Sequence, residues 1–441
     1  MKISHTKIYK KFTSYSFSAI FIVVMVLLLA LFSFYNPVEN SEKIYAKEVK
    51  SVMLQWYNLS LQLESKDLNA YPPITAERYV KMGIGAYFVN QLQENVDRNS
   101  KLILLNDLYA HYLELFFKDI KKEDFDKINF LNLSISNSLK PKSKISKESE
   151  VELLSKVTSK VDLVLNQPVR EINEINKFNH FPKYQFRSID PILPNWANAK
   201  SSVIVDKLIF KCNPPYYNKS SFEKAIYEDA LSLYTQSQNL KNEDIWIAEF
   251  WSDDIRGLTF SPIGRWVNIT NNIVSNESLN VDELIDLYLK LGVGFYDAAV
   301  VCWYNKYKYQ IERPQEFIQK RIDNQWKPLH DAPNFPSYPS GHSIFGAVSC
   351  EILENQFGKN YAFTDDSHDN RSEFLGKKRS FHNIKEMAIE NAFSRVLMGV
   401  HYKNDCEEGL RLGFEIGNLV NKNVYYKINN LISPTYSTLK N

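Results

Sequence analysis

Apolar residues recur at the spacing of one helix face through most of this chain, and few glycines interrupt them. The runs Ser41 to Leu63, Thr75 to Gln93, Leu102 to Ile120 and Glu148 to Phe178 all carry the pattern. Only 14 glycines occur in 441 residues, which argues against an all-β fold built on glycine turns. The expectation is an all-α protein made of helical bundles. A chain of this length can bury a large core and divide into two or three domains. Its net charge of +2 gives no reason to expect a nucleic-acid partner.

The first 36 residues read differently. Lys2, Lys7, Lys10 and Lys11 precede an uncharged apolar run from Phe17 to Tyr35. Its length is close to what a bilayer span requires, and no clean small-x-small cleavage site precedes Pro37. An uncleaved signal anchor is expected over a cleaved signal peptide. The basic flank would stay in the cytoplasm, so the protein is expected to be exported, periplasmic or extracytoplasmic. No later segment has this character. The best one, Leu287 to Trp303, contains Lys290 and Asp297 and reads as a buried helix of the protein body. Membrane contact is therefore expected through the N-terminal segment alone.

Residues 37–185 form an expected N-terminal helical region without recognisable chemistry, whose role is to pack against the rest. Asn132 to Ser149 is polar and rich in Lys and Ser, and reads as a loop within it. His180 to Pro194 is a plausible linker, and residues 186–441 are the expected catalytic domain. Its polar insert, Gly358 to Lys385, is expected to cover part of the site's mouth. Asp365, Asp366 and Asp369 in that insert suggest a cation site less than they suggest a solvated loop. The four cysteines, Cys212, Cys302, Cys350 and Cys406, are widely spaced, giving neither a disulfide framework nor zinc spacing. Cys302 and Cys350 lie in apolar helical stretches and read as buried thiols.

Three segments in the last third combine into one oxyanion site. In the first, Lys306 and Arg313 are seven residues apart, on one face if the helix continues that far. Pro314 then biases Arg313 out of the α region. The second is Pro339-Ser340-Gly341-His342. Ser340 is a natural N-cap for the helical run that follows. The N–H groups at such a helix start face outward and favour an anion, and glycine allows close approach. The third holds Ser394-Arg395, a break at Gly399, then His401 with Asp405 four residues on. That spacing lets the carboxylate fix the imidazole tautomer and leave the other ring nitrogen as a ligand or nucleophile.

In order and spacing these segments resemble the superfamily that joins the type-2 phosphatidic acid phosphatases to the vanadium-dependent haloperoxidases. IAEFWSDD at 247–254, the later GRWVNI and NYAFTDDSH are similar to the secreted bacterial branch of the haloperoxidases. The resemblance implies that vanadate is the cofactor, with hydrogen peroxide and halide as substrates. Lys306, Arg313 and Arg395 would bind the anion's oxygens, helped by Ser340 and the Gly341 N–H. His401 would bond the vanadium, His342 would be the acid–base group, and Asp405 would orient His401. Trp303 and Phe335 match apolar positions around the halide, and Phe335 stands where bromoperoxidases of the family often carry His. The expected activity is oxidation of halide to hypohalous acid. A phosphomonoester hydrolase acting on a phosphate ester with His401 as nucleophile is the alternative. A non-catalytic oxyanion-binding protein is a third reading, against which the His401–Asp405 pair argues.

Overall fold

The computed structural model describes residues 37–93, 96–169, 181–253, 259–369 and 377–433. The basic and apolar N-terminal segment lies outside them. Among the described residues, no helix is long and apolar enough to cross a membrane.

Among the described residues, the first half supplies five α-helices: α1 (Pro37–Glu64), α2 (Pro72–Asn90), α3 (Arg98–Phe116), α4 (Lys122–Leu139) and α5 (Lys147–Leu165). The second half adds α6 (Phe222–Ser237), α7 (Asn242–Phe250), α8 (Pro262–Asn276), α9 (Val281–Tyr309) and α10 (Pro314–Arg321). It ends with α11 (Gly341–Phe357), α12 (Ile384–Leu397) and α13 (Lys403–Ile432). The strands β1 (Phe363–Asp365) and β2 (Arg379–Phe381) form one short antiparallel hairpin. The architecture is all-α, as the helical periodicity and scarce glycine predict.

α9 is the central element. It is buried along nearly its whole length and packs on α2 from the first half and on α11 and α13 from the second. One continuous apolar core therefore joins the two halves. A capping box starts α9: Asn280 Oδ1 accepts from the Glu283 N–H at 2.9 Å, and Glu283 Oε2 accepts from the Asn280 N–H at 2.9 Å. Lys290 and Asp297, the two charges within its apolar stretch Leu287–Trp303, are both engaged. Lys290 pairs with Asp286 at 2.7 Å. Asp297, wholly buried, accepts the backbone N–H groups of Val203, Ile204 and Val205 at 2.7, 2.7 and 2.9 Å, stitching an irregular segment to the core.

α13 meets α11 along Gly409, Gly413 and Gly417, one glycine per turn. A Cβ at Gly409 would lie 2.7 Å from Ser340 O, and one at Gly417 2.7 Å from Glu351 Cβ. Glycine lets the two backbones touch here, and that contact sets the start of α11 beside the start of α13. The Ser340 N–H accordingly donates to Asp405 O at 3.0 Å.

Three sequence expectations need correction. The polar stretch at 132–149 is not a loop throughout, because α4 runs to Leu139. Its polar residues serve a buried network: Asn106 Nδ2 donates to Asn132 Oδ1 at 2.5 Å and to Ser136 Oγ at 3.0 Å, while Trp56 Nε1 donates to Asn106 Oδ1 at 2.9 Å. Second, Lys306 and Arg313 do not share a helix. Gln310 adopts a left-handed conformation (φ 50°) that ends α9, and Arg313 is extended before Pro314, capping α10. Third, Asp365 is not solvated. It is fully buried and pairs with Arg265 at 2.9 Å, while Asp366 and Asp369 face Lys378.

Candidate active site

A cavity of about 400 Å³ opens above the start of α11. Arg313, Gly341, His342, Arg395 and His401 line its floor, with Trp303 and Phe335 as an apolar wall. The three segments, 89 residues apart between Lys306 and Arg395, thus converge on one place. Lys306, Ser340 and Asp405 stand one layer behind the lining.

His401 is held from both sides. Its Nδ1 lies 3.0 Å from Asp405 Oδ2, and its Nε2 lies 3.1 Å from Arg313 Nη1. A guanidinium only donates, so Nε2 is the acceptor and Nδ1 carries the proton given to Asp405. That fixes the tautomer and leaves Nε2 unprotonated, facing Arg313. Gly399, at φ 86°, turns the chain between α12 and α13 so that Arg395 and His401 reach the same floor. Asp405 is fixed in turn by Ser337 Oγ at 2.5 Å and by the Tyr402 N–H at 3.2 Å.

The cations are positioned by backbone carbonyls. Arg313 donates through Nε to Phe335 O at 2.8 Å and through Nη1 to Val400 O at 2.8 Å. Arg395 donates to Trp251 O and, at 2.5 Å, to Met398 Sδ. Lys306 Nζ donates to the carbonyls of Pro336, Ser337 and Pro339 at 3.0, 2.9 and 2.6 Å. Those three bonds use all the ammonium protons. When protonated, Lys306 therefore contributes positive charge from behind the floor, and it pins the segment leading into α11. The Phe335 ring lies beneath both cations, 5.2 Å from Lys306 Nζ and 4.8 Å from Arg313 Cζ, and 5.0 Å from the Trp303 ring.

Ser340 caps α11, its Oγ accepting from the Ser343 N–H at 3.4 Å and from Ser343 Oγ at 2.9 Å. The first N–H groups of α11 lie at the cavity floor, where the helix dipole favours negative charge. A Cβ at Gly341 would meet nothing closer than Phe345 at 3.6 Å.

Burial and mutual repulsion among like charges dominate the protonation states. Both His342 and His401 are held well below the usual histidine range, first by burial and then by the neighbouring cations Arg313, Arg395 and Lys306. Burial likewise pulls Lys306 down to about 7.

This makes stability depend on pH in a definite direction. Between about 7 and its ordinary value, Lys306 is protonated in the unfolded chain and neutral in the folded, anion-free one. The unfolded state binds the extra proton, so stability rises with pH through that window. Replacing Lys306 with Met is expected to flatten the rise between pH 7 and 8.5, by on the order of a few kcal/mol at most. Denaturant midpoints of the two chains across that range test this. An unchanged slope would show that the ammonium keeps its proton without an anion.

The chemistry of this donor set fits a tetrahedral or bipyramidal oxyanion that accepts one nitrogen ligand. The comparisons with known proteins agree. A sequence model of the VCPO second helical-bundle domain matches residues 286–430, the stretch that carries all three segments. The second half of the chain is similar to the vanadium-dependent haloperoxidases. It is 22% identical over 290 residues to the vanadium chloroperoxidase of Curvularia inaequalis, covering 51% of this chain and 47% of that one. A shorter stretch of 91 residues is 31% identical to the vanadium-dependent bromoperoxidase of Ascophyllum nodosum, covering 19% of this chain and 16% of that one. The chain thus aligns with less than half the length of these two relatives.

Its fold matches solved haloperoxidases over more of the chain. A bacterial vanadium-dependent iodoperoxidase superposes with TM-score 0.68 at 20% identity, covering 85% of this chain and 96% of that one. A holo-type bacterial vanadium-dependent chloroperoxidase gives 0.61 at 14% identity, covering 83% and 96%.

Sequence reasoning missed the upper wall of the cavity. Glu64, Asp67 and Tyr71 line it from the end of α1 and the turn into α2, a half to which only packing had been ascribed. Glu64 is buried and accepts from the Ser261 N–H at 2.9 Å. Asp253 and His330 line it from the second half, and His330 Nε2 lies 2.9 Å from Glu249 Oε1. None of these residues stands in a local pattern that marks a site. Of the insert at 358–385, no described residue lines the cavity, so those residues do not form the expected cover.

Proposed function

We propose that this chain binds vanadate and uses it to oxidise halide with hydrogen peroxide, releasing hypohalous acid. One observation carries the reading. A cavity-lining histidine with its Nε2 unprotonated and facing Arg313 shares a floor with two arginines and a helix start, beside a Trp–Phe wall. Bound vanadate would supply a pentavalent Lewis acid that activates peroxide.

The chain's own residues do the rest. His401 Nε2 would bond the vanadium, and Asp405 keeps that nitrogen unprotonated by accepting the hydrogen bond from Nδ1–H. Arg313 and Arg395 would neutralise the anion's oxygens, aided by the α11 N–H groups and by the charge of Lys306 behind them. An anion here would offset the charge repulsion that adds to burial in depressing His342, which favours a proton on His342 and its service as acid–base group. Trp303 and Phe335 exclude water and suit a weakly hydrated halide. The basic and apolar start of the sequence supports an exported protein.

Phosphate provides the test. It shares vanadate's charge and shape but resists a fifth ligand from nitrogen. Halide oxidation, assayed with added vanadate, is expected to fall in phosphate buffer and to recover in excess vanadate. At equal concentrations vanadate is expected to win. Equal affinity for the two anions, with ester hydrolysis and no halide oxidation, would establish a phosphatase instead.

A further inference from the structure

We infer that Met398 is a site of oxidative modification, converted to the sulfoxide by the hypohalous acid made beside it, and that the sulfoxide shuts the anion site. The product-forming part of this inference rests on the proposed function. The geometry does not. Met398 Sδ accepts from Arg395 Nη2 at 2.5 Å, and Met398 lines the cavity that holds Arg313, His342 and His401.

The chain has six methionines. Among the described ones, Met53, Met82 and Met387 are fully buried and line no part of this cavity. The four cysteines, intrinsically better nucleophiles than a thioether, are also buried and absent from the lining. Met398 is itself only 3% exposed, so its place in the cavity lining, not intrinsic reactivity, singles it out.

The chemistry balances without a further reagent. The thioether sulfur attacks the halogen of hypohalous acid, the O–X bond breaks, and a halosulfonium forms with release of hydroxide. Water then attacks sulfur, the S–X bond breaks, and halide and protons leave. Sulfur loses two electrons and the halogen gains them, so thioether plus hypohalous acid gives sulfoxide, halide and one proton.

A thioether is a weak acceptor, whereas a sulfoxide oxygen is a strong, polar one. Placed on Arg395 Nη2, it holds the guanidinium in a charge-assisted bond that competes with the anion. Product that is not carried away by an acceptor would thereby slow its own formation. The lesion is reversible by methionine sulfoxide reductases, so the device resets.

The full chain is treated in two arms, and peptide mass spectrometry reads each methionine. In one arm, anion-free protein receives reagent hypobromite at about one equivalent. In the other, protein with vanadate, bromide and peroxide turns over without an organic acceptor. Calorimetry then measures vanadate affinity before and after. In the reagent arm, sulfoxide is expected at Met398 well before Met53, Met82 or Met387, with vanadate affinity falling about tenfold. Reductase treatment is expected to restore that affinity. Met398→Leu protein, compared with its own starting value, is expected to keep its affinity through the same treatment.

Equal oxidation of all the methionines, or selective oxidation of Met398 with affinity unchanged, overturns the inference. In the turnover arm, Met398 staying reduced while bromide is oxidised also overturns it. A turnover arm without bromide oxidation, beside a positive reagent arm, leaves Met398 as the modification site and removes the haloperoxidase reading.

Discussion

His401→Ala is expected to abolish halide oxidation, by about a thousandfold or more. The imidazole is the covalent link between protein and anion in the proposed chemistry, and the structure places its lone-pair nitrogen on the cavity floor. Arginines and helix N–H groups can still attract an oxyanion in its absence, so residual vanadate binding is expected to be weak and purely electrostatic. The anion-free fold is expected to survive. Asp405 keeps Ser337 Oγ and the Tyr402 N–H as partners, and Arg313 keeps the carbonyls of Phe335 and Val400. Turnover at saturating vanadate, vanadate calorimetry and the melting temperature of the anion-free chain separate these effects. Retained turnover with vanadate bound would remove His401 from the role proposed for it. A large drop in melting temperature would make it a structural residue first.

The same residue shows how much the sequence could convey. Helix-forming periodicity over long runs made the all-α class legible, because buried helices carry their own signature every few residues. Three short segments made the cavity floor legible, because their chemistry lies in residue type and spacing: a capped helix start, a glycine break, and a carboxylate one turn from an imidazole. What escaped was set by packing between distant elements. Lys306 and Arg313 converge on Phe335 from different elements, which spacing within one helix cannot reveal. The saturation of the Lys306 ammonium by three carbonyls depends on how the segment at 336–339 folds over it. Glu64, Asp67 and Tyr71 reach the cavity from the other half of the chain. Asp365 looked like a loop acid until Arg265, a hundred residues earlier, was found opposite it.

The glycine series on α13, which the sequence reading did not single out, is the link between fold and chemistry, so its disruption has the other large expected effect. Gly413→Val is expected to destabilise the chain by about 3 kcal/mol or more and to remove activity with it. A Cβ at Gly413 would overlap Ile344 O and lie 2.6 Å from Ala347 Cβ. A carbonyl inside a buried helix cannot swing aside as a side-chain end can, so α11 and α13 must separate. Separation moves the start of α11, with Ser340, Gly341 and His342, away from the start of α13, with His401 and Asp405. It also strains the bond from the Ser340 N–H to Asp405 O. Gly358→Ala supplies the comparison, since nothing lies within 4 Å of a Cβ there and its φ of 89° imposes only local backbone strain. Thermal unfolding and vanadate affinity measured on both variants test the claim. A Gly413→Val chain that melts like the parent, yet binds vanadate normally, would show that the α11–α13 contact does not hold the site together.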